Sequence, residues 1–249
     1  MKIQLTYATH IGGRERQEDR FVATEHYGGV LMAVMDGHGG SAETAEIVQE
    51  NFERVFDNVH HRMAGRSALT TVFAELHELT KERFAGTTLS VAWIPGGATE
   101  VFVAVLGDSP VVVRSKGVLW VGPEHNARTN PEEREAAIDR GAIEVGTYLT
   151  HPMAYPHDRS IHPTRALGDR IFPFQRRDPE AFSLPIGEGS VVLVASDGLF
   201  DAVHHTSPVA CADEILSLVD AGADADALVR MAVEECVSDN VTAILCRVT

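Results

Sequence analysis

Residues 30–40 read Val30-Leu31-Met32-Ala33-Val34-Met35-Asp36-Gly37-His38-Gly39-Gly40. The unbroken apolar run predicts a strand. It ends on an aspartate followed by glycines, which let the chain turn tightly and let a ligand approach the backbone. Past Gly40 the period changes. From Ser41 to about Met63, Ala45, Val48, Phe52, Val55, Phe56 and Val59 recur at helical spacing, with Ser41 as N-cap. Leu69, Val72, Phe73, Leu76 and Leu79 place a second amphipathic helix after the first. Two successive helices, each with one apolar stripe, need a sheet to cover.

Upstream, Ile3, Leu5 and Tyr7 alternate with polar neighbours, and Phe21–Thr24 is a second short strand-like run. Downstream, Thr87–Ile94 and Glu100–Leu106 flank the turn Pro95-Gly96-Gly97 as a hairpin, and Val111–Arg114 and Val118–Val121 follow at short intervals. Such connections predict a largely antiparallel sheet. Residues 122–188 are poor in long apolar runs and rich in Pro, His, Arg and Gly. Within them Pro131–Arg140 reads as a short polar helix inside a flap-like insert of about 124–163, and long irregular stretches in compact domains usually serve function or motion. Val191–Ala195 is fully apolar, as a buried strand is. Helices starting near Ser207-Pro208 and near Asp224, then a strand over Val241–Val248, close the chain. The order predicts an α+β fold of sheet layers covered by helices, without the regular alternation of a doubly wound fold. No internal repeat or linker interrupts it, so residues 1–249 read as a single domain.

The chain has 249 residues, 44% of them hydrophobic, and a net charge of −15 from 21 Lys+Arg against 36 Asp+Glu. That balance argues against a nucleic-acid reader, whose affinity comes mainly from neutralising phosphates. No apolar stretch approaches the roughly 18 residues a membrane span needs, and the start MKIQLTYATH has no hydrophobic signal core. Cys211, Cys236 and Cys246 form no CxxC pair, so they read as reduced thiols and the expected compartment is the cytoplasm.

Four aspartates stand at strand ends. Asp36 follows Val30–Met35, Asp108 lies in Leu106-Gly107-Asp108-Ser109 between two strands, Asp197 follows Val191–Ala195 with Asp201 four residues on, and Asp239 precedes Val241–Val248. Taken singly, each is an ordinary turn aspartate. Carboxylates converging on one spot, however, repel at neutral pH unless a cation compensates them. All-oxygen ligands select a hard ion, Mn2+ or Mg2+, over zinc.

The ordered motifs carry a resemblance. Arg14-Glu15-Arg16-Gln17-Glu18-Asp19, Met35–Gly40, Gly86-Thr87-Thr88, Gly107-Asp108-Ser109, Thr164-Arg165-Ala166-Leu167-Gly168-Asp169, Ala195–Asp201 and Ser238-Asp239-Asn240-Val241-Thr242 span nearly the whole chain. Together they resemble the metal-dependent protein phosphatases (PPM family) of the protein phosphatase 2C type, in the form of a bacterial-type stand-alone catalytic domain. The resemblance implies a central antiparallel β-sandwich flanked by helices on both faces. It also implies a protein-serine/threonine phosphatase holding two Mn2+ or Mg2+ ions. On it, Asp36 bridges the two ions, the carbonyl of Gly37 helps hold one, Asp197 and Asp239 complete the other, and Glu18 and Asp19 act at or just outside the ligand set. Asp108 and Asp201 match the positions of a third, weaker metal. Arg14 would grip phosphate with its planar fork of donors. His38 would protonate the leaving oxygen as general acid, after a metal-bridging hydroxide attacks phosphorus in line. The expected partner is a phosphorylated protein, paired with a Ser/Thr kinase, and the expected state is a monomer bound to neither nucleic acid nor membrane.

Three segments depart from the family pattern. Pro110 stands where Arg often follows Gly-Asp-Ser, Val121-Gly122-Pro123-Glu124-His125 replaces a Leu-Thr-x-Asp-His segment, and Ile161-His162-Pro163 precedes Thr164. His125, His151, His157 and His162 of the insert read as solvated loop histidines. Two other functions are compatible with the fold. A catalytically silent relative that binds a partner would be marked by lost metal ligands, yet Asp36, Asp197 and Asp239 are all present. Hydrolysis of small phosphate esters would use the same residues.

Overall fold

The computed structural model describes residues 2–203, 205 and 207–249. In chain order, β1 (Ile3–His10), β2 (Arg20–His26), β3 (Gly29–Met35) and the short β4 (Gly37–His38) lead into α1 (Glu43–His60) and α2 (Gly65–Thr80). Strands β5 (Gly86–Thr87), β6 (Leu89–Ile94), β7 (Glu100–Leu106), β8 (Val111–Ser115) and β9 (Val118–Val121) follow. The insert holds α3 (Pro131–Asp139), the hairpin β10 (Ile143–Val145) and β11 (Tyr148–Thr150), a 3-10 helix (Pro152–His157) and β12 (Leu167–Gly168). The chain then runs through β13 (Glu180–Pro185), β14 (Val191–Ala195), α4 (Asp197–Asp201), α5 (Pro208–Asp220), α6 (Ala225–Glu234) and β15 (Val241–Val248).

Two five-stranded antiparallel sheets, ordered β1-β15-β14-β8-β9 and β13-β7-β6-β3-β2, form the centre. Strand periodicity explains the layering. In β3 every residue is buried: Leu31, Ala33 and Met35 pack with the apolar faces of α1 and α2, while Val30, Met32 and Val34 join the core between the sheets. In β14, Val191, Leu193 and Ala195 face α5 and α6, and Val192 and Val194 face the opposing sheet. An apolar run without alternation is what a strand covered on both sides requires. The α+β fold with helices on both faces of a β-sandwich is therefore what the structure has. No helix among the described residues is long and apolar enough to cross a membrane.

Several local expectations are corrected. The first helix begins at Glu43 with Ala42 as its cap; Ser41 Oγ accepts the Glu43 N–H at 3.2 Å, one step outside the predicted role. Leu79 is exposed, and Thr80 takes the inward position, its hydroxyl donating to the Leu76 carbonyl at 3.0 Å. Residues 180–185 of the stretch read as irregular form β13, an edge strand paired with β7 from Glu180↔Val105 to Pro185↔Glu100. His125 is not a solvated loop residue. It is buried, with Nδ1 accepting the Gly107 N–H at 3.2 Å.

Antiparallel pairing brings the functional strand ends together. The register Arg20↔Met35 puts Glu18 and Asp19 beside the end of β3, and His10↔Val241 puts the Arg14 loop beside the start of β15. Ala195↔Ala243 sets Asp197 next to that same start.

Candidate active site

Of the ten residues singled out from the sequence, nine line one cleft of about 850 Å³: Arg14, Glu18, Asp36, Gly37, His38, Asp108, Asp197, Asp201 and Asp239. Asp19 sits behind its wall, buried, with Oδ2 accepting from Ser196 Oγ at 2.8 Å and Thr242 Oγ1 at 2.7 Å. Asp19 thus stands just outside the cleft, behind the carboxylates that line it.

The carboxylates are held by short local devices. The Asp36 N–H donates to Thr88 Oγ1 at 3.1 Å, and the Thr88 N–H returns to the Asp36 carbonyl at 2.9 Å, so the end of β3 is fastened to the break between β5 and β6. Gly37 approaches Glu18 so closely that an added Cβ would lie 2.5 Å from the Glu18 carbonyl oxygen. Asp197 opens α4, where an acid is favoured by the helix N-terminus. Asp108 Oδ2 accepts from Asn126 Nδ2 at 2.5 Å. Asp239 Oδ1 accepts its neighbour's N–H at 2.8 Å, while Oδ2 takes the Arg14 guanidinium at 2.5 Å.

The electrostatics are those of uncompensated negative charge. Burial, then the charges of Asp197, Asp19, Asp108 and Asp239, push the Asp36 carboxyl well above its ordinary range. Burial, then Asp108, Asp239, Asp201 and Asp19, do the same to Asp197. Asp19 is pushed up to about 6 by burial, against the two hydroxyls that favour its charge, and Asp108 reaches about 6, also through burial. Among the described residues, Asp19 Oδ1 and Asp197 Oδ1 are buried oxygens without a hydrogen-bond donor. A hard divalent cation fits this donor set, since it satisfies bare carboxylate oxygens and removes their repulsion together.

His38 is held differently. Its Nε2 lies 2.6 Å from Asp169 Oδ2, and Asp169 is almost wholly buried. Burial alone would depress the imidazole, but the Asp169 charge and hydrogen bond, with Asp108 and Glu18, raise it overall. The contact depends on Gly86, where an added Cβ would stand 2.3 Å from both Asp169 Oδ2 and His38 Nε2. Arg177 secures the loop from behind, donating to the carbonyls of Ala166 at 2.5 Å and Asp169 at 3.2 Å.

Sequence reasoning did not single out Asp169, Asn126 or Arg177 for these roles. Asp169 stood within a quoted motif, but nothing local shows that its carboxyl reaches His38. Asn240, noted only as a neighbour of Asp239, pins the Arg14–Glu18 loop: its Oδ1 accepts the Glu18 N–H at 2.7 Å and its Nδ2 donates to the Ile11 and Arg16 carbonyls. A second carboxylate–histidine group, His125, Glu133 and Glu180, brings three ligand-type atoms within 4.8 Å of one another. There the Arg165 guanidinium already supplies the positive charge, at 2.5 Å from Glu133 and 2.9 Å from Glu180.

Residues 8–231 match the family described as Protein phosphatase 2C. The chain belongs to that family. Of the nine sequence-predicted residues on the cleft, the match takes in all but Asp239. Among protein phosphatase 2C relatives, probable protein phosphatase 2C 11 of Arabidopsis thaliana is 27% identical over 265 residues, covering 99% of this chain and 67% of the relative. The serine-threonine phosphatase 2C from Toxoplasma gondii superposes with a TM-score of 0.77 at 20% identity, over 98% of this chain and 94% of that one. The catalytic domain of the serine threonine protein phosphatase PstP, solved with two manganese ions, gives 0.64 at 19% identity over 99% of each chain. At these identities the two structures speak for the protein phosphatase 2C fold.

Proposed function

We propose that this chain removes phosphate from phosphoserine and phosphothreonine in proteins, using two divalent cations, Mn2+ or Mg2+. The observation that carries the reading is the convergence of Asp36, Asp197 and Asp239 on a cleft that also holds Arg14 and His38, with Asp197 Oδ1 bare. Asp36, Asp197, Asp239 and the Gly37 carbonyl would hold the ions, with Glu18 and Asp19 in support and Asp108 and Asp201 as candidates for a third. When bound, such ions offset the carboxylate charge and supply a water acidic enough to attack phosphorus near neutral pH. The manganese pair in the related PstP domain supports two ions.

The protein's own groups do the rest. Arg14 is exposed at the cleft and presents its fork to phosphoryl oxygens while Asp239 orients it. With His38 Nε2 committed to Asp169, Nδ1 is the ring atom left to protonate the departing serine or threonine oxygen. No nucleophilic side chain is required. The counterpart is a Ser/Thr kinase that installs the phosphate, the chain acts as a monomer, and the three free cysteines support a reducing, cytoplasmic setting.

The deciding experiment follows phosphopeptide hydrolysis with Mn2+, with chelator and in Asp197→Ala. Activity should require the ion and disappear in the variant. Full activity in Asp197→Ala, or in excess chelator, would refute the reading.

A further inference from the structure

A second cavity of about 230 Å³ opens off the catalytic cleft and shares Asp108, Asn126, Arg128, Asp197 and Asp201 with it as a common wall. Its other surfaces are mainly apolar: Pro110, Val121, Pro123, Phe200, Pro208 and Cys211. The Cys211 thiol is buried, points its Sγ at the His205 carbonyl, and is held protonated by that burial, so it behaves as a small hydrophobe. Pro110 contributes ring carbons where the resembling family often has an arginine. We propose that this cavity is a substrate subsite that accepts one aliphatic or aromatic side chain from a residue neighbouring the phosphoserine or phosphothreonine. The proposal rests on the phosphatase reading and adds a sequence preference to it.

Size and charge select this occupant. Pockets that enclose whole small molecules measure about 300–1,000 Å³, so this one suits a single side chain of something anchored next door. Successive Cα atoms lie about 3.8 Å apart, which keeps the residues flanking a phosphoserine in the cleft within reach of an adjoining cavity. Acidic side chains are disfavoured, because the wall of Pro110, Val121, Pro123, Phe200, Pro208 and Cys211 gives a carboxylate little to replace its lost water.

The test uses phosphopeptides that differ at one position, from two residues before the phosphoresidue to two after, carrying Gly, Ala, Leu, Phe or Asp. At one position Leu or Phe should exceed Gly by about tenfold in kcat/KM, the scale of discrimination a hydrophobic pocket gives. Thr129→Trp, placed on the exposed rim, and Pro110→Arg should each reduce that ratio to about twofold or less. A wild-type chain that shows no position with an apolar preference, that prefers Asp there, or whose preference survives both substitutions overturns the subsite. Fluorescence anisotropy with labelled peptides bearing a non-hydrolysable phosphonate separates the two claims. Leu-selective binding without turnover would remove the phosphatase reading and leave the subsite standing. Turnover of all peptides alike would do the reverse.

Discussion

His38 Nε2 and Asp169 Oδ2 stand 2.6 Å apart, joining the residue two places after the β3 aspartate to the end of the Thr164–Asp169 motif. Asp169 adopts a left-handed backbone at φ 50, and Gly86 leaves the space in which the pair meets. A strained residue and a close backbone approach around one hydrogen bond suggest that the fold maintains the contact for its chemistry. A buried carboxylate on one ring nitrogen orients the imidazole and favours its protonated form, as a general acid needs.

Asp169→Asn should therefore impair alkoxide protonation while leaving the shape of the site intact. Hydrolysis of a phosphoserine peptide should fall by about 10²-fold, within the range general-acid catalysis supplies. An aryl phosphate, whose leaving group needs little protonation, should lose far less. The sign of the pH effect follows from the raised His38 value. The acid acts while protonated, so losing the Asp169 charge should move the alkaline fall of kcat to lower pH. Equal losses on both substrates with an unmoved profile would remove Asp169 from the proton path.

Strands with continuous apolar runs beside turn-forming residues could be read directly: β7 and β9 stop at a glycine, β14 stops before Ser196-Asp197, β15 starts after Asp239-Asn240, and all four have the boundaries read from the sequence. So could the carboxylates at the heart of the cleft, because Asp36, Asp108, Asp197 and Asp239 stand at strand ends and antiparallel pairing gathers such ends. What escaped depends on distant partners. β13 carries Glu180, Ser183 and Pro185, a composition fit for an edge but without an apolar rhythm. His125 is buried because Gly107 and Glu180 come to it from other strands. Leu79 fell one position outside a stripe whose edge only the packing of α2 defines.

The carboxylate cluster should make the metal-free protein less stable than its composition warrants. Asp19 and Asp108 at about 6, against an ordinary 3.8, bind more protons folded than unfolded between roughly pH 4 and 6. The linkage sign is then negative: their contribution to stability is present in acid and is lost as pH rises through that window. Asp36 and Asp197 are shifted in the same direction. Asp197→Asn should raise the melting temperature of the chelated protein at pH 8, worth about 0.5–2 kcal/mol, with a smaller gain at pH 5. It should also abolish the stabilisation that Mn2+ gives the parent chain. A variant that melts lower at pH 8, or still gains stability from Mn2+, would contradict the cation site.

Arg14 pairs with Asp239 yet is more than half exposed, at 57% of its side chain. Such a group is available to an incoming anion. Arg14→Ala should raise KM by about tenfold or more, the scale of a lost charged hydrogen bond, with a smaller fall in kcat. Arg14→Lys should recover only part of the affinity, because a point charge cannot grip two oxygens at once. An unchanged KM in Arg14→Ala would show that phosphate is held elsewhere.

Arg165 is only 4% exposed and ties α3 of the insert to β13 of the sandwich through Glu133 and Glu180. Thr164 Oγ1 donates to the other Glu133 oxygen at 2.7 Å, and His125 faces Glu180 at 3.3 Å. Arg165→Met would leave two neighbouring carboxylates without their cation, a loss of about 3–5 kcal/mol when a buried pair is broken. Because Glu133 lies on the insert, residues 124–163 should become the first protease-sensitive segment and the first to lose hydrogen-exchange protection. Burial and then the Arg165 charge hold the His125 imidazole low. Without that guanidinium it can accept a proton beside the two glutamates, so the variant should recover part of its stability between pH 8 and 5.5. Uniform loss of protection across both sheets, or a deficit that deepens in acid, would show that Arg165 serves the core at large and not the seating of the insert over the cleft.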